Sequence, residues 1–377
     1  MESRMGPIRR MTLVVFCSVP FFLTSPASAV PMWSRRYGMA CGSCHASPGL
    51  QLTDTGLDFL RRGHRLDGDA FDKDFTHLVS AHGEWEYEVQ KGESTAFTNP
   101  EFHLHGGGAL SNYVSAYVDV NLNEDFEAIY AQLTKSFGET TYLTARGGKF
   151  PPVLIRNYGL GLMASASNPL IVTDITLDEN PFTPSRDSSG LSFAARVKSF
   201  FFETGVVNGE DSPTATVANH KDVYATAEYT VPDQVSGVGL YYYRGGYDIA
   251  VPLGGLEFDR YDRQGVFANF TQDKFRVAGA YLRGKDRITS LTDRRIRGYY
   301  IQADGYPVDW VAPFVRFDDV RTEIDAVSAR TGKATVGCAF RLYETEIGGG
   351  RVVIEASRRK DDSVSSNAAL LNLIFAF

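Results

Sequence analysis

The chain has 377 residues, a formal net charge of −7 at pH 7, and aromatic side chains at 12% of its positions. This acidic balance argues against nucleic acid as a partner, because phosphate backbones attract basic surfaces. After residue 80, no apolar run is long enough for a transmembrane helix, which excludes a helical membrane domain there.

The start of the chain has the pattern of a secretory signal peptide. A basic beginning with three arginines precedes a short apolar run at 11–23, and Ala27-Ser28-Ala29 is an A-x-A cleavage site. We therefore expect residues 1–29 to be removed and the mature chain to begin at Val30, outside the cytoplasm.

A cysteine motif, Cys41-Gly42-Ser43-Cys44-His45, follows soon after the predicted cleavage site. Two thiols at this spacing with an adjacent histidine form the attachment site for c-type haem. The alternatives are a disulfide or a zinc site, but zinc needs about four ligands. The other cysteines, Cys17 and Cys338, belong to no second pair of this kind. We predict one covalent haem c attached through Cys41 and Cys44, with His45 as the proximal iron ligand.

The ligand on the far side of the iron is less constrained by the sequence, since histidine, methionine or no protein ligand all occur. His64, just past a predicted helix, is the best candidate for the distal ligand. Weaker candidates are Met32, Met39, His77 and His82. For each histidine, an ordinary polar residue at a strand mouth is the alternative interpretation.

Residues 30–78 form the haem-binding segment. Within it, Asp54–Arg62 is predicted to be a short helix, capped by Thr53 or Asp54 and ended by Gly63. Roughly 45 residues are too few to enclose a haem and bury a stable core alone, so we expect the segment to plug the domain that follows. A basic cluster either pairs with haem propionates or is solvated: Arg61, Arg62 and Arg65.

Residues 79–377 contain segments of about ten residues in which apolar and polar side chains alternate. Glu84, Glu86 and Glu88, for example, alternate with large apolar residues. An apolar face toward lipid and a polar face toward a lumen are typical of an outer-membrane β-barrel. The predicted strands are 80–90, 99–110, 112–122, 127–137, 140–150, 189–198, 200–208, 220–231, 235–245, 257–270, 274–284, 295–305, 309–318, 333–343, 349–358 and 367–377.

The predicted fold class is therefore all-β, an antiparallel outer-membrane barrel of 16 strands, an even number as bacterial barrels have. Alternation alone does not exclude a soluble β-sandwich or propeller. Aromatic residues near strand ends favour the barrel. A last strand that ends in Phe377 also favours it, because this ending resembles the terminal signal of outer-membrane assembly.

The stretch Pro151–Ser188 is too long for an ordinary turn between strands. It contains the run from Tyr158 to Met163. We expect it to fold into the lumen and narrow it, and a mobile extracellular loop is the alternative.

Three runs carry a resemblance to known proteins: 35–45 around the haem motif, Gly56-Leu57-Asp58-Phe59, and Gly63-His64-Arg65-Leu66. They resemble the fused outer-membrane cytochrome–porins, whose best-known members are the iron oxidases of iron-oxidising bacteria. The run 147–152 also looks like a glycine–phenylalanine–proline turn of related barrels. The chain departs from the family at position 64, where it has histidine and many relatives have tyrosine. Pro48 and Leu52 fit the family's spacing of residues only loosely.

The resemblance implies that electrons cross the bacterial outer membrane through a haem held in a porin-like barrel. In the iron oxidases the donor is extracellular Fe(II) and the acceptor is a periplasmic c-type cytochrome. If the chain is an enzyme, it is then an oxidoreductase of the Fe(II)–cytochrome c reductase type. Glu84, Glu86 and Glu88 either attract such a cation or are ordinary lumen residues.

Other functions stay open on the sequence alone. The direction of electron flow is not encoded, so the same construction serves electron export to an extracellular acceptor. A diffusion porin with a structural or sensory haem, and a soluble periplasmic haem protein, are the further alternatives.

Overall fold

A computed structural model describes most of the chain from residue 31 to residue 377. The described residues are 31–46, 51–90, 96–97, 100–123, 126–152, 163–173, 180, 182–184, 186–209, 220–231, 236–250, 256–288, 294–324, 327–345, 348–362 and 364–377. The predicted signal peptide 1–29 lies outside them, as does most of the run from Tyr158 to Met163.

Helices are few and short. They are α1 Pro31–Tyr37, α2 Asp54–Arg61 and α3 Leu170–Thr173, with 3-10 turns at Cys41–Ser43 and Phe75–His77. The helix predicted at Asp54–Arg62 is confirmed, since Arg62 is its C-cap, whereas α1 and α3 were not predicted. Among the described residues, no helix combines the length and the apolar character that crossing a membrane requires.

Strands make up nearly all of the remainder. They are β1 Val79–Gln90, β2 Ala96–Phe97, β3 Glu101–Ala109, β4 Val114–Asn121, β5 Phe126–Ser136, β6 Thr141–Phe150, β7 Ser188–Val197, β8 Phe200–Asn208, β9 Lys221–Thr230, β10 Gly237–Ala250, β11 Leu256–Gln272, β12 Phe275–Ile288, β13 Arg294–Gly305, β14 Val311–Ile324, β15 Val327–Thr345, β16 Gly348–Asp361 and β17 Val364–Ala376.

The long strands close into a barrel. From β3 to β17 each strand pairs antiparallel with its neighbour in the chain, and β1 closes the ring by pairing with β17 on one side and β3 on the other. The two-residue β2 pairs only with the end of β1. Without β2 the closed barrel has 16 strands, which confirms the predicted architecture.

Predicted and observed strands differ mainly in length. The structure extends β14 to Ile324 and begins β15 at Val327, where the prediction stopped at 318 and resumed at 333. In β14 the outward positions are apolar up to Phe317 but charged from Asp319 on, whereas Val320 and Ile324 lie on the other face, so the pattern of apolar outside and polar inside ends there. The run 147–152 is not a turn, because Gly147–Phe150 is the end of β6 and only the prolines lie beyond it.

The barrel wall has an apolar outer face and a polar inner face. In β9, for example, Val223 is 41% exposed and Tyr229 39% exposed, whereas the residues just before them, Asp222 and Glu228, are buried. Neighbouring strands repeat this alternation. The pattern is that of a wall between lipid and a polar lumen.

The two ends of the barrel differ in the length of their connections. Short turns at 110–113, 137–140 and 198–199 lie at the end that also holds Phe377, whereas the longest connection, 151–187, lies at the opposite end. Barrels of this type place short turns in the periplasm and longer loops outside the cell. We call these the short-turn end and the long-loop end.

The described part of 151–187 lies inside the barrel. Arg316 on β14, fully buried, donates to Ser165 Oγ at 2.8 Å and to the Ser167 carbonyl at 2.6 Å. Asp318 accepts from the Leu170 backbone N–H at 3.0 Å, and further along Asn180 contacts two aspartates of the wall. For these residues the expectation of a loop folded into the lumen is confirmed.

Candidate functional site

One threonine joins the haem motif to α2. The backbone N–H of Gly56 donates to Thr53 Oγ1 at 3.1 Å, which caps the helix. The Thr53 hydroxyl donates in turn to the Ser43 carbonyl at 2.6 Å, and the Thr53 N–H donates to the Cys44 carbonyl at 2.8 Å. The motif is therefore fixed to the start of the helix by two hydrogen bonds, both made by the residue that caps the helix.

Gly56 lets the motif approach the helix closely. A Cβ added at this position would lie 2.1 Å from the Cys44 carbonyl oxygen and 3.0 Å from the Cys44 Cα. Both are backbone atoms, which cannot move aside as the tip of a side chain can. His45 adds a bridge to Leu52 on the other side of the loop. The glycine of the Gly56–Phe59 run thus has a packing reason.

Cys44, His45 and His64 line one cavity of about 440 Å³. Its volume falls within the range of small-molecule and cofactor sites. Most of its wall is apolar or aromatic, from the N-terminal segment and from the inner face of the barrel. The aromatic residues are Trp33, Tyr37, Phe59, Tyr117 and Tyr130. Cys41 begins the adjacent 3-10 turn, so the structure brings the predicted site residues to one place.

His64 is held firmly in this cavity. It is 4% exposed, its ring stacks on Trp33 with centroids 4.4 Å apart, and its Nδ1 lies 3.1 Å from the Tyr130 hydroxyl. Its φ of 62° follows a φ of 78° at Gly63. A non-glycine residue in this region costs on the order of 1–3 kcal/mol and persists only where its surroundings enforce it.

The environment of His64 keeps its imidazole neutral. Burial, with a smaller contribution from the charge of Arg146, lowers the pKa of His64 to about 3. Neutral imidazole is the form that binds metals, and a hydrogen bond from one ring nitrogen orients the other toward a metal. Burial also raises the pKa of the Cys44 thiol, so this thiol is protonated at neutral pH.

The other candidates for a distal ligand divide clearly. Met39 lines the cavity, whereas His77 and His82 are not part of its wall. Instead, Nδ1 of His77 lies 2.7 Å from Oδ2 of Asp72, and Nδ1 of His82 lies 2.6 Å from Nε2 of His105. His77 and His82 are therefore not placed to act as ligands.

The three arginines predicted as a basic cluster hold the N-terminal segment to the barrel wall. Arg61 forms a 2.6 Å ion pair with Glu228 of β9 and stacks on Phe201, and both partners of the ion pair are buried. Arg62 donates to Ser136 at 2.8 Å. Arg65 donates to two carbonyls of the 110–113 turn. The interpretation as a solvated cluster is wrong.

Three cavity residues were missed by the sequence analysis. Arg146 of β6 is 4% exposed, lines the cavity and donates to Gln132 at 2.9 Å, so a buried guanidinium for an anionic substituent comes from the wall. Trp33 and Tyr130 are the partners of His64. The alternation of apolar and polar residues along β5 and β6 places Tyr130 and Arg146 on the lumen face. It does not show which of the lumen-facing residues contact the N-terminal segment.

The ion pair between Arg61 and Glu228 gives a direct test of the docking. We predict that Arg61→Met destabilises the chain by about 3–5 kcal/mol, because it leaves a buried carboxylate without its cation. Adding Glu228→Gln to the same chain should recover much of this loss. The free energy of unfolding in urea measures both effects, and equal stability of Arg61→Met and the unmodified chain would contradict the contact.

The architecture has many known counterparts. The structure is similar to OmpT of Vibrio cholerae (TM-score 0.60, 9% identity, covering 82% of this chain and 100% of that chain). It is also similar to an anion-selective porin from Comamonas acidovorans (TM-score 0.59, 10% identity, 79% and 98%) and to OmpF of Salmonella typhi (TM-score 0.58, 10% identity, 79% and 97%).

The fold is that of the outer-membrane porins. No family model and no curated protein matches the sequence. At this level of identity the similarity extends to the barrel and not to its activity, so the function rests on the residues of the cavity.

Proposed function

We propose that this chain is an outer-membrane electron-transfer protein that holds one covalent haem c inside a porin-like barrel. Its donor is an extracellular reductant such as Fe(II), and its acceptor is a periplasmic c-type cytochrome. Residues 30–78 are the haem-binding plug and 79–377 the barrel, with 1–29 as the export signal. The observation that carries the proposal is that Cys44, His45 and the buried His64 share one cavity within the barrel.

The residues present fit a haem. The cavity offers thiol and imidazole donors beside one another, a second, neutral imidazole, and aromatic walls for an apolar macrocycle. Arg146 is a buried cation at the same cavity, where a propionate needs one. When bound, haem c supplies a one-electron carrier whose potential depends on its axial ligands and its surroundings.

The protein's own residues bind and orient this group. Cys41 and Cys44 would attach it through their thiols, and His45 would bind its iron. His64 would be the second imidazole ligand, because Trp33 and Tyr130 fix its ring. Thr53 and Gly56 hold the attachment loop against α2.

In this proposal the segment also stands between the two ends of the barrel. Its contacts lie at the short-turn end, where Arg65 binds the 110–113 turn, and the cavity extends from there to Asp119 and Glu127 near the long-loop end. In each turnover one Fe(II) loses one electron to become Fe(III) outside. One periplasmic cytochrome gains that electron.

The porin fold supports a second candidate, a diffusion channel whose haem is structural or sensory. Ion conductance in a planar bilayer separates the two. A conducting lumen in the unmodified protein, together with a haem that no external donor reduces, would favour the channel. Electron export uses the same arrangement in reverse and would show as oxidation of the reduced protein by an external acceptor.

The electron-transfer proposal is tested by mixing the oxidised holoprotein with Fe(II) under nitrogen and following the haem absorbance. We expect reduction in the unmodified protein. We also expect His64→Ala to change the spin state of the oxidised haem, because the distal ligand is lost, and His77→Ala to leave the spectrum unchanged. No reduction by Fe(II) at any pH would rule out this donor, and an unchanged spectrum in His64→Ala would rule out this ligand.

A further inference from the structure

A second group of metal-binding side chains lies at the far end of the same cavity. His103 of β3, Asp119 of β4 and Glu127 of β5 each offer one ligand atom, and these three atoms lie within 4.8 Å of one another. We call them the triad. His103 is 6% exposed and the two carboxylates are partly buried.

The two carboxylates converge on one imidazole nitrogen. Nδ1 of His103 is 3.2 Å from Asp119 Oδ1 and 3.7 Å from Glu127 Oε2. One N–H proton can make a good hydrogen bond to only one of these oxygens. A divalent cation in its place can bind all three atoms, because ligands about 2.1 Å from an ion are themselves about 3.0–3.5 Å apart.

A β-bulge points Glu127 into the barrel. Asp119 pairs with Ala128 and Val120 pairs with Phe126, so Glu127 is an extra residue in β5. In a regular strand, adjacent side chains point to opposite faces, yet Glu127 and Ala128 both line the cavity. Bulges commonly redirect a side chain beside a functional site. The irregularity therefore lies at the residue that completes the triad.

Nearby charges favour a cation. Glu101 Oε2 lies 3.6 Å from His103 Nε2, and the carboxylate of Asp187 lines the same cavity as Asp119 and Glu127. Carboxylates crowded at one place repel each other unless a cation or protons neutralise them.

The triad is linked to the haem site by aromatic contacts. The Tyr117 hydroxyl lies 3.3 Å from Asp119 Oδ2, and the Tyr117 ring is 4.3 Å, centroid to centroid, from that of His64. The same tyrosine therefore touches a triad ligand and the proposed haem ligand.

We infer that His103, Asp119 and Glu127 form a binding site for a divalent first-row cation such as Fe²⁺ at the long-loop end of the haem cavity. Imidazole is a ligand that suits iron and carboxylate is one that suits Mn²⁺, so this mixed set fits a divalent first-row cation. That the triad binds the electron donor rests on the proposed electron-transfer function. That the triad binds a metal ion rests only on the geometry of its three ligand atoms.

The test is binding of Mn²⁺ to the purified holoprotein, measured by loss of the free-ion EPR signal. We expect one saturable Mn²⁺ per chain. Glu127→Gln and His103→Ala should each raise the dissociation constant at least tenfold, since even outer residues of metal sites change affinity 10- to 100-fold. Glu88→Gln, a lumen-facing carboxylate on β1, is the matched control and should bind as the unmodified protein does.

Binding that both triad variants retain, or that Glu88→Gln weakens equally, would overturn the inference, and so would the absence of saturable binding. Heat-dependent migration on a gel checks that each variant barrel is folded. If His103→Ala does not fold, Glu127→Gln still tests the site, because glutamine has nearly the size and shape of glutamate. Because Mn²⁺ binding needs no redox step, it can succeed while Fe(II) fails to reduce the haem, and the reverse can also occur.

Discussion

Replacing Cys41 and Cys44 together with alanine should abolish covalent haem while the barrel still folds. Each thiol supplies one of the two bonds to the porphyrin, whereas the 16 long strands pair without any contribution from these residues. Haem staining of the denatured protein and the absorbance of the folded protein measure the loss. We expect no covalent haem in the double variant.

Cys338→Ala is the matched control for this experiment. Cys338 lies in β15, paired with Ile354 of β16, far along the chain from the motif, so its removal should leave the haem content unchanged. Covalent haem in the double variant, or its loss in Cys338→Ala, would contradict the assignment of the attachment site.

The second large effect is expected from Gly56→Ala. Alanine favours a helix over glycine by about 1 kcal/mol, so the change should stabilise α2 if nothing else were nearby. Here the added methyl group meets the backbone of Cys44. Overpacking of this kind costs about 1–3 kcal/mol or more. We expect the haem motif to separate from α2, with faster proteolysis of residues 31–78 and a lower haem content.

Gly42→Ala, within the motif itself, is the control for Gly56→Ala. A Cβ at Gly42 meets nothing within 4 Å, so this variant should show normal proteolysis and haem content. Equal protease resistance of Gly56→Ala and the unmodified protein would show that the close approach of loop and helix is not needed.

The barrel could be predicted well because its signal is local. Val223 and Tyr229 face outward and Asp222 and Glu228 face inward, and this alternation is written directly in the sequence. Strand ends such as that of β14 at Ile324 were missed, because from Asp319 on the outward positions are charged and the pattern of apolar outside and polar inside ends.

The candidate site was predictable only in part. The haem motif, the helix at Asp54 and the choice of His64 as a candidate ligand follow from short-range patterns. The Tyr130 hydroxyl, the Arg146 guanidinium and the bulge at Glu127 depend on which wall positions face the segment. The contact of Tyr130 with His64 joins residues 66 positions apart, and the bulge arises from a shift in the pairing of β4 with β5. A single sequence does not contain either in readable form.

The arginines illustrate the same limit. Arg61, Arg62 and Arg65 attract attention as a basic cluster near a haem motif, and pairing with propionates is a reasonable hypothesis. In the structure each is bound by the barrel, through Glu228, Ser136 and the 110–113 turn. Their charge therefore serves to dock the segment, and the buried cation facing the cavity is Arg146.

The central claim, electron transfer across the membrane through the haem, is tested most directly in sealed liposomes. The holoprotein is reconstituted with oxidised c-type cytochrome trapped inside, Fe(II) is added outside, and the absorbance of the trapped cytochrome is followed. The account predicts reduction of the trapped cytochrome with the unmodified protein and none with Cys41→Ala/Cys44→Ala. Equal reduction with both would show that Fe(II) diffuses through the lumen, and no reduction with either would contradict the proposed function.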